Sequence, residues 1–162
     1  VPLITIATFF LVLSGSAALI YQVVWVRLLS FSMGSTAASV STVLAAFFFG
    51  IAAGSLLAER LTRDLRDLRV YLALEAIIGL SGILLLPALL NLDLLLALLP
   101  VAGTSLAVKF TVTVLMLAPS TICMGATFPV MAAMIVRRQH DLGNRLSHIY
   151  SFNTLGAVIG AL

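Results

Sequence analysis

The stretch "FFFGIAAGSLLAERLTRDLRDLRVYLALEAIIGL", from Phe47 to Leu80, decides the fold. An apolar run stops at Glu59, alternating charges follow, and a second apolar run opens at Val70. Two such runs flanking a charged connector read as a pair of membrane-crossing helices joined on one side of a bilayer, because about 20 apolar residues rising about 1.5 Å each cover the hydrocarbon core. The second run soon contains a carboxylate, Glu75, and this poses the main chemical question.

The rest of the chain has the same character. Its 162 residues are 62% hydrophobic and only 9% charged, with a mean hydropathy of +1.20, whereas soluble domains carry roughly 25% charged residues. Short alternating segments, the mark of an outer-membrane barrel, do not occur. The expected fold is an all-α, polytopic helical membrane bundle forming a single transmembrane domain. Its five expected spans cover residues 3–29, 36–58, 70–90, 105–136 and 146–162. "NLDLLLALLPVAGTS", after the third span, reads as a turn with a short interfacial helix. The chain opens at Val1 and stops at Leu162 within an apolar run, so it reads as a fragment of a longer protein. "SGSAA" after Leu13 looks like a leader-cleavage site. However, no basic residues precede it and the apolar character runs on to Leu29, so this segment reads as the first span.

The cations set the expected topology. Arg60, Arg63, Arg66, Arg69, Arg137, Arg138 and Arg145 lie in or beside just two connectors. By the positive-inside rule those connectors, and with them the N-terminus, face the cytoplasm, which makes this a multi-pass protein of the inner (plasma) membrane. Arg27 and Lys109 fall at the opposite side, where their stems can snorkel. An isoelectric point near 9.6 would suggest nucleic acid in a soluble protein, but here it reflects topology, and no nucleic-acid partner is expected. Cys123 is the lone cysteine, so an internal disulfide is excluded and no metal site is expected.

Span two carries a packing signature. Ala38, Thr42, Ala46, Gly50, Gly54 and Ala58 recur at every fourth position and form one ridge of small side chains. In lipid, helices associate through close backbone approach along such ridges. Gly156 and Gly160 repeat the pattern in span five, and Ser14 with Ala18 offers a weaker version in span one.

Three groups could carry chemistry. Glu75 lies six residues past Arg69, roughly 9 Å below the boundary. It reads either as an acid favoured by the start of its helix and the connector arginines, or as a member of an intramembrane polar cluster with Asn153, which lies at similar depth, and His148, nearer the surface. On the other side, "YQVVWVR" sets Tyr21, Gln22, Trp25 and Arg27 within two turns. That outer aromatic face could hold a cation, or it could simply be belt aromatics with a snorkelling arginine. Pro119 and Pro129 with Gly125 should kink span four, as a hinge or as a static bend. Phosphate loops, paired His ligands and serine elbows do not occur, so the chain itself carries no catalytic motif and calls for no cofactor.

"SGSAALIYQVVWVRLLS", "GSTAASVSTVLAAFFFGIAAGS", "YLALEAIIGL", "MGATFPV" and "YSFNTLGAVIGAL", in this order, resemble the N-terminal membrane region of bacterial spermidine synthase-like membrane proteins, described as fused MFS/spermidine synthase. The resemblance implies a membrane part similar to a portion of a major facilitator half. It also implies a following soluble domain related to polyamine aminopropyltransferases, none of whose catalytic residues fall in this chain. Major facilitators place a glycine, an acid and basic residues in the connector after span two, and Gly54, Glu59, Arg60, Arg63 and Arg66 look similar, with the acid one position late and the central glycine missing. The expected function is therefore a non-catalytic membrane module that anchors or serves such a domain. The alternatives are the first part of a transporter for a small solute, a cation included, and a structural subunit. The expected partners are the lipid bilayer, further helices and that soluble domain.

Overall fold

The computed structural model describes residues 2–62, 67–98, 105–136 and 142–162. Among them the chain forms six helices: α1 (Pro2–Met33), α2 (Thr36–Leu61), α3 (Asp67–Leu90), α4 (Leu92–Ala97), α5 (Leu106–Val136) and α6 (Leu142–Ala161). Helix is the form lipid demands, since each backbone donor and acceptor must be satisfied within its own segment. Four helices, α1, α2, α3 and α5, are long and apolar enough to cross a membrane. The protein is a helical membrane bundle. α6 was expected as a fifth span; it carries Ser147, His148, Ser151, Asn153 and Thr154 in its sequence and is not among those four.

Local signals set the helix ends. Gly34, at φ +66°, turns the chain between α1 and α2 in a conformation that side chains with a Cβ rarely adopt. Ser35 then caps α2, accepting from the Ala38 N–H. α3 closes just past Pro87, whose carbonyl accepts from both the backbone and side-chain N–H of Asn91. α5 stays helical through Pro119 and Pro129. Near these interruptions Thr121 donates to the Leu117 carbonyl (3.1 Å) and Thr127 to the Met124 carbonyl (2.7 Å).

Two close helix pairs dominate the packing: α2 on α5, and α1 on α6. A Cβ at Gly50 would collide with Thr121, and one at Gly54 with the Ile122 carbonyl and the Ala126 nitrogen. Gly125 in turn lies against the Gly50 carbonyl. Partner numbers rise together along both helices, so α2 and α5 run parallel. α1 and α6 behave the same way, with Gly156 on the Val12 carbonyl, Gly160 on the Ser16 carbonyl and Gly15 on the Asn153 carbonyl. The Ser16 hydroxyl bonds both the Val12 and Gly156 carbonyls at 2.8 Å, which stitches that seam. α4, at about 1.5 Å per residue, is too short to cross a bilayer. Alternating passes therefore send α2 and α5 in one direction and α1 and α6 in the other. Along α2, Thr42, Ala46, Gly50, Gly54 and Ala58 are all buried.

The remaining contacts close the bundle. α3 packs on α5 and, to a lesser extent, on α1. α4 folds back so that Leu92 and Leu96 join Trp25, Leu29, Leu89 and Leu117 in one apolar cluster. At that end Lys109 pairs with Asp93 (2.7 Å) and also donates to the Ser32 carbonyl, while the Ser32 hydroxyl donates to Asp93 (2.8 Å). The hydrogen bonds from Lys109 and Ser32 hold the Asp93 carboxyl below its usual range, so it stays ionised at neutral pH. Lys109 is thus engaged in a clamp joining α1, α4 and α5, where snorkelling was expected.

The seams make a testable contrast. Gly54→Leu should cost on the order of 1–3 kcal/mol of stability by overpacking backbone against backbone. Gly79, whose added Cβ would meet nothing within 4 Å, should tolerate alanine and gain up to about 1 kcal/mol from helix propensity. Unfolding in mixed detergent micelles measures both, and equal losses at the two sites would refute the seam.

Candidate functional site

The expected polar cluster does not assemble as one group. Glu75 lies on α3 beside Tyr71 and near Tyr21 of α1. Asn153 is on α6, a helix that makes no substantial contact with α3, and it lines a cavity. His148 is exposed, with its ring 4.6 Å from that of Phe152. The similar depth of Glu75 and Asn153 did not bring them together, because they sit on helices that are not packed on each other.

Glu75 has other neighbours. Tyr71 stands one turn before it and is 2% exposed, and Tyr71 Oη lies close to both Glu75 and Ser14 of α1. Neither Tyr71 Oη nor Glu75 Oε1 makes a well-formed hydrogen bond among the described residues, although both atoms are buried. Buried polar atoms of this kind are costly to leave unanswered, and pairs of them rarely arise without a role. These groups make a polar spot in the apolar α1–α3 seam.

The outer aromatic face is also rearranged. Trp25 is 2% exposed and lies in the core, where its ring stacks on Tyr21 (5.3 Å between centroids) and tilts against Phe47 (5.9 Å). Neighbouring rings cover it, so Tyr21 and Trp25 present no open cation-binding face, nor does Trp25 act as a belt residue. The Tyr21 hydroxyl reaches the Ile78 carbonyl (3.4 Å) over Gly82. Arg27 is exposed, and Gln22 turns away from both rings into the cavity. In the connector, Glu59, Arg60 and Arg69 are exposed, while Arg63 and Arg66 lie outside the described residues.

The cavity, about 480 Å³, lies between the two close-packed pairs, α1 with α6 and α2 with α5. α1 and α6 supply most of its polar wall: Ser14, Gln22, Tyr150 and Asn153. α2 and α5 supply a largely apolar wall that includes Phe47, Phe48, Ile51 and Phe128. The rings of Phe128 and Tyr150 meet edge-on at 5.8 Å across α5 and α6. Ser55 and Thr127 also line it, but their hydroxyls are already bonded to carbonyls of their own helices. The amides of Gln22 and Asn153 have no such engagement among the described residues. Ser14 both faces this space and approaches Tyr71, so it links the cavity to the Glu75 spot. A volume of this size with an apolar majority and a few convergent polar groups is typical of small-molecule sites.

Several of these residues carried little signal in the sequence. Gly15 sits in "SGSAA", which resembled a cleavage site, yet it packs on α6 backbone. Gly125, read as part of a kink, packs on Gly50. Tyr71 showed no pattern beyond its spacing of four from Glu75. No metal-holding group of three His, Cys, Asp or Glu side chains occurs among the described residues. Comparison of the chain with family models, with curated proteins and with solved structures returned no match.

A double-mutant cycle tests the Glu75 surroundings. Glu75→Gln and Tyr71→Phe should be coupled by at least about 0.5 kcal/mol, whereas Glu75→Gln and Asn153→Ala should be additive within roughly 0.3–0.5 kcal/mol. Unfolding in mixed micelles measures both cycles, and coupling to Asn153 alone would restore the expected cluster.

Proposed function

We propose that this chain is a non-catalytic integral membrane module whose working feature is the cavity between α1, α2, α5 and α6, and that it forms part of a transporter-like protein taking up a small solute. The observation that carries this reading is the two-sided lining, with free amides at Gln22 and Asn153 facing a wall that includes Phe47, Phe48 and Phe128. Parallel helix pairs joined by glycine seams support it as well, because rigid pairs of this kind can rock about a site between them. The arginine-rich connectors support an orientation in the inner (plasma) membrane with the N-terminus in the cytoplasm.

A second reading has its own support. The motif series from "SGSAALIYQVVWVRLLS" to "YSFNTLGAVIGAL" favours the membrane part of a spermidine synthase-like protein, in which the module anchors or serves a soluble domain related to polyamine aminopropyltransferases. The two readings are compatible if the cavity serves that domain.

Filling the cavity separates them. Ala18 lines it, and Ala18→Phe should leave insertion intact but cut uptake of a small-solute panel into proteoliposomes by about tenfold or more, as expected when a bulky ring occupies a binding volume. Under a pure anchor reading the same variant would leave both uptake and any aminopropyl transfer by the intact protein unchanged. Unchanged uptake in a well-inserted variant would overturn the transport reading.

A further inference from the structure

The cavity lining narrows the class of solute. Resting on the solute-binding reading above, we propose that the cavity takes an uncharged, elongated molecule with a hydrogen-bonding group at each end and an apolar middle. Among the described residues, no Asp, Glu, Lys, Arg or His lines it. An unpaired charge placed there would lose its hydration with nothing to answer it. Glu75 adds nothing directly, since it is not part of the lining and is linked to it only through Tyr71 and Ser14.

The ends follow from register. Asn153 lies level with Gly15, because its carbonyl contacts that residue, and so it stands beside Ser14. Gln22 lies eight residues further along the same helix, which at about 1.5 Å per residue is roughly 12 Å away. Each amide offers a donor and an acceptor, which match a hydroxyl or a carboxamide on the solute. Between the two levels α1 lines the cavity with Ala18 and Leu19, and Ile51 faces them from α2, while Phe47 lies past Gln22 beside Trp25 and Phe128 lies past Asn153 beside Tyr150, so the middle is apolar and the aromatic rings stand toward the ends. A molecule bonded at one end only would leave the other amide in the cavity without a protein partner. A molecule with two heads about 12 Å apart, matching the rise between the anchors, answers both.

Tritiated 1,8-octanediol is a suitable probe, with unlabelled 1,8-diaminooctane and octanedioate as competitors of the same chain length and opposite charges. Equilibrium binding to the purified chain in detergent micelles should be saturable for the diol. Gln22→Leu and Asn153→Leu, checked for unchanged helix content and elution, should each weaken it by about fivefold, the effect of one lost neutral hydrogen bond. Both charged analogues should compete at least about tenfold less well than unlabelled diol, reflecting unpaired burial of charge. If the diamine or the diacid competes as well as the diol, or if neither leucine variant changes binding, this inference fails while solute binding stands. If none of the three molecules binds saturably, the solute-binding reading fails together with it.

Discussion

The structure depends on backbone meeting backbone at glycine. Lipid tails are as apolar as leucine, so burying apolar surface between helices gains little in a bilayer, and association must come from close van der Waals contact and interhelical hydrogen bonds. Gly50, Gly54 and Gly125 permit this between α2 and α5, and Gly15, Gly156 and Gly160 permit it between α1 and α6. In each case the space for a Cβ is already taken by a backbone or near-backbone atom of the other helix. The Ser16 hydroxyl, shared between carbonyls of α1 and α6, adds a hydrogen bond at the place where the helices are closest.

Two tight parallel pairs have a geometric consequence. Helices drawn together within a pair are packed less closely between pairs, and the cavity lies in that gap, with one wall from each pair. The walls differ in chemistry because α1 and α6 bring amides and hydroxyls while α2 and α5 bring mostly rings and aliphatics. α3 packs on α1 and α5, and it brings Tyr71, with Glu75 beside it, against Ser14, which also faces the cavity. The Lys109–Asp93–Ser32 clamp and the buried leucines of α4 close the end of the bundle where α1 finishes and α5 begins. Seams, clamp and cavity are thus parts of one arrangement in which rigid pairs border a site.

Much of the fold was legible in the sequence because it rests on one-dimensional signals. Long apolar runs place α1, α2, α3 and α5, and the four-residue spacing of small residues in α2 picks out the face that is buried against α5. The short helix after Leu90 was also readable, from the turn at Asn91 and the leucines that follow. The candidate site was much less legible, since a sequence gives the depth of a residue along its helix but not which neighbour it faces. Glu75 and Asn153 share a depth, with His148 nearer the surface, and yet the three have three different surroundings. Trp25 has the position of a belt residue and lies in the core under Tyr21 and Phe47. The packing roles of Gly15 and Gly125 were not read from the sequence, because a glycine that packs on another backbone looks no different from one in a turn or a kink. The Asp93–Lys109 pair joins residues of two elements whose connection gives no local hint of it.

The most direct test of the account is the relative direction and closeness of α2 and α5. With Cys123 replaced by alanine, spin labels at Ser41 and Thr111, both exposed, report the separation by double electron–electron resonance. A parallel, glycine-seamed pair puts these positions at one level, with helix axes on the order of 8–10 Å apart, so the labels should lie within about 25 Å once their linkers are included. An antiparallel pair would move them to opposite levels, beyond about 30 Å at the rise of a helix, and that result would contradict the arrangement from which the cavity follows.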